Sequence, residues 1–384
     1  MKVYLDNAAT TYPKPPSVHN NMMNFFTNLG SSPGRGSYST ALESSRLVYS
    51  CRESLCELFN FSKPENVIFT YNVTTSLNML IKGFVKEGFH VITTSMEHNS
   101  SLRPLFQLKD TLGIELDILQ CSPTGILNVE DFKNLIKPNT KLVVVNHASN
   151  IVGSIQPIEE IGKICNEKGI FFILDSAQTA GVIDIDFKKV GCSALAFTGH
   201  KSLLGPQGIG GFLISDELNE VCDPFITGGT GSLSSSIYQP DFLPDKFESG
   251  TMNTPGIIGL LAGIQYIKSQ GMDYIKNKEE ELCDLFLNNL LNMDSVKLYG
   301  LTTAKHRTAV ISANFENKDS SEISYLLDSQ FGIMTRTGLH CAPLAHKTIG
   351  TYPEGTLRFS IGPFNDERDI LYTIDSLNKV LRGD

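Results

Sequence analysis

The chain has 384 residues, of which 41% are hydrophobic and 19% charged, and a formal net charge of -9. That length is ample for a large core and two or three domains, and the composition is ordinary for a globular protein. The negative balance, with no stripe of lysines and arginines, excludes a broad nucleic-acid surface, and no apolar run approaches the roughly 20 residues that span a bilayer.

Residues 2–5 open on a strand-like run without a charged-then-apolar leader, so a cytoplasmic location is expected. Residues 41–59 carry Leu47, Cys51, Leu55 and Leu58 at helical spacing and predict an amphipathic helix. Strand-like runs follow at 66–70, 90–94, 141–145, 169–174, 194–197 and 208–214, with a helix over 157–168 stopped by Gly169. This alternation predicts an α/β protein, a mostly parallel sheet covered by helices. Beyond Gly256 come longer helices at 257–268 and 274–291, a strand-like run at 309–314 and a last helix at 366–381. They predict a smaller α+β domain, so residues 1–255 are read as an N-terminal segment plus the large domain and residues 256–384 as the small one. The eight cysteines are scattered without paired metal-type spacing and read as small core hydrophobes, with Cys341 alone in a loop-like context.

The chemistry starts from residues 169–174, a wholly apolar run ending abruptly in Asp175-Ser176-Ala177-Gln178. Such a run reads as a strand buried on both faces, which places Asp175 at the carboxyl end, where open α/β sheets bind ligands. One βα step later stands Thr198-Gly199-His200-Lys201. A lysine amine with a lowered pKa attacks an aldehyde, pyridoxal phosphate supplies one, and an aspartate at the pyridine nitrogen makes that ring an electron sink. Alone, Asp175 is equally a helix N-cap and Lys201 a turn lysine; their spacing favours the cofactor. Asn72-Val73-Thr74-Thr75-Ser76 follows a strand and opens an apolar helix. A helix start of this kind offers free N–H groups and hydroxyls to a phosphate, and the same residues serve plain capping.

Together with Leu5-Asp6-Asn7-Ala8-Ala9-Thr10-Thr11 and Arg336-Thr337-Gly338-Leu339-His340-Cys341, these segments resemble the class V aminotransferase family over the whole chain. Within it they are similar to the cysteine desulfurase branch that includes selenocysteine lyases. The resemblance implies a fold-type I transferase, with a seven-stranded, mostly parallel sheet in the large domain and a smaller α+β C-terminal domain. It also implies pyridoxal 5'-phosphate and a homodimer. By the same resemblance Val73, Thr74, Thr198 and His200 hold the phosphate, and Gly250 and Thr251 reach it from across the dimer. His98 stacks on the ring and carries protons, Asn150 and Gln178 bind its phenolic oxygen, and Asp175, Ala177 and Lys201 complete the cofactor set. Arg358 grips the substrate carboxylate by two parallel hydrogen bonds, joined in substrate binding by Asn150, Arg336 and Ala8, with Arg35 near the entrance. Cys341, beside His340, takes the substrate's sulfur as a persulfide.

Catalysis is thus expected from Lys201, Cys341 and His98, converting L-cysteine to L-alanine. A selenocysteine lyase or selenium-supply enzyme would use the same scaffold, and an aminotransferase or other β-lyase would leave Cys341 incidental. A metal set of His340, Cys341 and His346 lacks a fourth ligand. Leu339 and Asn99 depart from the family pattern, which often has histidine at the first position and histidine or aspartate at the second; both border the substrate. The expected partners are L-cysteine or L-selenocysteine, a second copy, and a protein that accepts sulfur or selenium, with no nucleic acid and no membrane.

Overall fold

The computed structural model describes residues 1–34 and 36–383. Its strands are β1 (Val3–Tyr4), β2 (Val67–Thr70), β3 (His90–Thr94), β4 (Glu115–Leu119), β5 (Thr140–Asn146), β6 (Phe171–Asp175), β7 (Ala194–Thr198), β8 (Gly210–Ile214), β9 (Val296–Tyr299), β10 (Val310–Phe315), β11 (Ile333–Met334), β12 (Arg336–Gly338) and β13 (Thr356–Ser360). Seven of them form one sheet in the order β2-β8-β7-β6-β5-β3-β4. β3 to β7 are parallel, and β8 runs antiparallel to both β7 and β2, so β2 points the same way as the parallel set. This is the mostly parallel seven-stranded sheet expected from the sequence.

Strands β2, β3, β7 and β8 are buried at every residue; β2, β7 and β8 accordingly read as nearly continuous apolar runs, while β3 also buries the polar His90, Thr93 and Thr94. Alternate residues of β5 serve opposite cores, with Val143 and Val145 in one and Leu142 and Val144 in the other. The sequence pattern misses β4. It lies at the sheet edge, and its exposed Glu115 and half-buried Asp117 break the apolar run while guarding the open edge against further pairing.

A second, antiparallel sheet of order β12-β13-β10-β9 packs on helices Met272–Leu291 and Glu367–Arg382 through Phe286, Leu287, Leu290, Ile370 and Leu377. Asp366 closes the start of the last helix with a capping box. β1 pairs with β11, and Val3 and Leu5 belong to this smaller core. Helix Thr254–Gln270 packs instead in the larger core through Ile257, Leu260 and Ile264. Gly263 lets it lie against the turn after Lys201, since a Cβ there would stand 2.5 Å from the carbonyl oxygen of Leu203. Among the described residues no helix is long and apolar enough to cross a membrane.

Candidate active site

Strands β2, β3, β5, β6 and β7 all end at one edge of the large sheet, and the segments leaving them surround a cavity. Val73, His98, Ser100, Asn146, Ala148, Asn150, Asp175, Ala177, Gln178 and Lys201 line it. A pocket at the carboxyl ends of parallel strands is where this architecture places ligands. After β2, Asn72 caps helix Val73–Phe84 by accepting the Thr75 amide at 3.0 Å, which leaves the amides of Val73 and Thr74 in the first turn for a ligand. Val73 lines the cavity; Thr74 is exposed at the same helix start.

Asp175 is the last residue of β6, and one carboxylate oxygen accepts the Ala177 amide at 2.9 Å. Burial pushes its pKa up, opposed by that N–H and by the charge of Lys201. Lys201 is affected in the opposite direction. Burial brings its amine down to about 8, Asp175 works against the shift, and Arg358 and Arg336 reinforce it. A pKa brought down toward neutral pH raises the fraction of free amine, the form that attacks a carbonyl.

His98 caps helix Asn99–Leu112 with Nδ1, which accepts the Ser100 amide at 3.1 Å. Burial, then Lys201, lowers its pKa to about 4, so the ring is neutral and carries its proton on Nε2. His200 is likewise held down, to about 4, by burial and Lys201. Its carbonyl accepts from Thr10 Oγ1, the Thr11 amide and Lys14 Nζ, at 3.1, 3.1 and 2.5 Å, so the N-terminal segment is fastened beside Lys201. Gln178 Nε2 donates to the Ala8 carbonyl at 3.2 Å and ties the same segment to the cavity wall.

Cys341 sits on a loop in which His340 and Cys341 both have left-handed backbones, with φ of 46° and 60°. Side chains rarely adopt this region, and such strain persists where the surroundings enforce it. Here the Asn99 amide donates to the Cys341 carbonyl at 2.8 Å and Asn150 Nδ2 to the His340 carbonyl at 2.9 Å. The loop is therefore pinned to the two segments that bring His98 and Asn150 to the cavity. Cys341 is exposed; the other seven cysteines are buried, and burial pushes all of their thiols up. His340 and His346 stack with ring centroids 5.8 Å apart behind this loop.

The remaining expected residues fall in three places. Thr198 is buried at the end of β7, and Arg358 is buried in β13 with exposed Arg336 directly opposite it on β12. Gly250 and Thr251 are exposed and line a different cleft, with Tyr49 and Arg52, so this chain does not bring them to its own Lys201 cavity. Arg35 lies outside the described residues. The sequence reading overlooked Ser100, Asn146 and Ala148. Asn146 carried a usable signal, because it ends the apolar run of β5 in register with Asp175 on β6.

The residues fit a phosphorylated pyridine aldehyde. Thr198 Oγ1, His200 Nδ1 and Asn150 Oδ1 are buried without a hydrogen-bond partner among the described residues. Folded chains seldom leave such atoms unsatisfied, and three along one sheet edge mark the place of a polar ligand. An amine with a lowered pKa, a buried carboxylate and free helix-start amides are the donor set that the aldehyde, ring nitrogen and phosphate require.

Fold and site together define a class V transferase, and the sequence profile of the family described as "Aminotransferase class-V" matches residues 3–372: the chain belongs to this family. Its similarity is to cysteine desulfurases within that family. A "Probable cysteine desulfurase" of Methanothermobacter thermautotrophicus is 31% identical, over 98% of this chain and 94% of that protein. Another "Probable cysteine desulfurase", from Streptomyces coelicolor, is 34% identical over 98% of this chain and 92% of its own. The apo structure of a cysteine desulfurase from Thermococcus onnurineus superposes with a TM-score of 0.94 at 32% identity, covering 100% of this chain and 95% of that one.

Proposed function

We propose that this protein is a pyridoxal phosphate-dependent cysteine desulfurase that converts L-cysteine to L-alanine and takes the sulfur onto Cys341. The observation that carries the reading is the strained Cys341 loop, pinned by Asn99 and Asn150 beside the cavity that holds Lys201 and Asp175. When bound, pyridoxal phosphate supplies an electron sink for the carbons beside the substrate's amino group. Asp175 would keep the ring nitrogen protonated, and the amides of Val73 and Thr74, with Thr198 and His200, would hold the phosphate. Lys201 Nζ, its pKa brought down to about 8 by burial, moves the proton at the substrate's α-carbon. Neutral His98 would donate from Nε2, and Arg358 would bind the substrate's carboxylate.

Cys341 Sγ attacks the substrate's sulfur as a thiolate. The carbon–sulfur bond breaks, a sulfur–sulfur bond forms, and a proton takes the sulfur's place on the β-carbon. L-cysteine plus the Cys341 thiol then balances L-alanine plus the Cys341 persulfide, with no external oxidant. Exposure of Cys341 leaves that persulfide open to an acceptor protein. The exposed Gly250 and Thr251 serve the phosphate site of a second copy, which makes the working unit a homodimer. All eight cysteines are free, in keeping with a reducing, cytoplasmic setting.

The test is alanine release from L-cysteine by the cofactor-loaded protein, with mass spectrometry of the Cys341 peptide. One added sulfur atom on Cys341 is expected. Cys341→Ser should lose alanine formation from L-cysteine but keep a substantial part of it from L-selenocysteine, whose weaker carbon–selenium bond releases selenium without a nucleophile. Full activity of Cys341→Ser on both substrates would turn the reading to a β-lyase or aminotransferase.

A further inference from the structure

Arg358 is a guanidinium buried to 1% exposure in β13, an interior strand of the small sheet, with another arginine, Arg336, directly opposite on β12. Like charges facing each other across a strand pair repel. Burial drives the Arg358 pKa below its ordinary value, and Asp6 is the anion that opposes this. Nη2 of Arg358 donates to Asp6 Oδ1 at 2.6 Å and Nη1 to the Asn150 carbonyl at 3.0 Å. Nε is buried without a partner among the described residues.

Asp6 is itself held in place. It bridges to Ser360 in parallel fashion, with the Ser360 amide donating to the Leu5 carbonyl at 2.7 Å and the Asn7 amide to the Ser360 carbonyl at 3.3 Å. The backbone on both sides of Asp6 is therefore fastened to β13, two residues beyond Arg358. An ion pair built for stability alone gains little from burial, and here the buried pair leaves the Nε–H of Arg358 available. A guanidinium clamped at two nitrogens with a third donor open is one oriented for an incoming acceptor.

We propose that Asp6 is a positioning residue for the substrate carboxylate: it fixes the Arg358 guanidinium so that its free donors already face that group. The inference rests on the reading of Arg358 as the carboxylate clamp. A free arginine side chain loses rotamer freedom when it binds, and one oriented beforehand does not. Asp6 therefore acts on affinity for carboxylate-bearing molecules rather than on the chemical step.

The experiment compares Asp6→Ala, Asp6→Glu and Asp6→Asn in the cofactor-loaded enzyme. Removing the carboxylate, or pushing the guanidinium away by one methylene, should raise KM for L-cysteine about tenfold, with kcat within about threefold. The dissociation constant of L-alanine, which has the carboxylate but no sulfur, should rise in parallel. Turnover of cysteamine, which lacks the carboxylate, should not move. Asp6→Asn keeps an acceptor oxygen at the same reach and should recover most of the loss. An unchanged KM and L-alanine affinity in both Asp6→Ala and Asp6→Glu, or an equal loss on cysteamine, overturns the proposal. Arg358→Lys separates the two readings: if it too leaves KM unchanged, the clamp itself is wrong, whereas a raised KM there with none in the Asp6 variants refutes Asp6 alone.

Discussion

At the scale of single residues, Lys201 and Asp175 are shifted toward each other by the same burial. The amine is brought down to about 8 and the carboxyl is raised, and each partly restores the charge of the other. Their roles differ, so their removal should differ. Lys201→Ala should abolish turnover while circular dichroism shows a folded chain, because truncation removes a buried polar group rather than a packing element. Asp175→Asn should still let borohydride fix pyridoxal phosphate to Lys201, yet slow alanine formation by about a hundredfold or more, since the ring nitrogen loses the anion that keeps it protonated. Retained multiple turnover in Lys201→Ala, or an unchanged rate in Asp175→Asn, would reassign those roles. The seven other cysteines need no function: they fill cores, and their thiols are held protonated by burial.

Among the elements, the turn from β3 into helix Asn99–Leu112 places His98, and Glu97 anchors that turn. Its Oε1 accepts the Asn146 amide at 2.9 Å and Thr94 Oγ1 at 2.8 Å, which joins the end of β3 to the end of β5. Oε2 has no partner among the described residues. Burial raises its pKa from 4.5 to about 8, against the opposing hydrogen bonds and with help from the charge of Asp175. A group whose folded pKa is raised binds more protons when folded, so its stabilising contribution is complete below pH 4.5 and is lost as pH rises through about 8. Urea unfolding of the cofactor-free protein should therefore show the wild type losing stability, relative to Glu97→Gln, as pH rises across that window. A difference that stays flat with pH would mean that Glu97 is ionised in the folded state.

For the whole molecule, the N-terminal segment works as a tie between two cores. β1 and Leu5 belong to the smaller one, Asp6 holds Arg358, and Thr10, Thr11 and Lys14 fasten onto His200 beside Lys201. Residue 255, where the sequence suggests a domain boundary, lies in the first turn of helix Thr254–Gln270, whose apolar residues belong to the larger core. The chain before that helix has Phe225, Ile237 and Tyr238 exposed, Ile237 to 92%. The proposed second copy would cover such side chains, and Gly250 and Thr251 lie just beyond them in the chain. Sedimentation should find a dimer. Mixed dimers of Lys201→Ala and Thr251→Ala should recover activity, up to about one quarter of wild type, because half the dimers are mixed and each then holds one intact site. No recovery above the parent variants would place Thr251 outside the partner's site.

Much of the site was legible in the sequence because it sits where periodicity changes. Asp175, Thr198 with Lys201, and Asn72 to Thr75 each follow an apolar strand, and a polar group at that position faces the ligand edge of a parallel sheet whatever the rest of the chain does. The same logic found six strands of the large sheet and missed β4, whose charges answer to its place at the edge and not to its conformation. Tertiary structure alone decided which distant residues meet. Asp6 reaches Arg358 across 352 positions, Asn150 holds the His340 carbonyl across 190, and nothing local in either sequence segment records the other. Local pattern reflects burial and backbone preference, which each segment carries by itself. A clamp between segments depends on how two cores pack against one another, and that is a property of the folded chain.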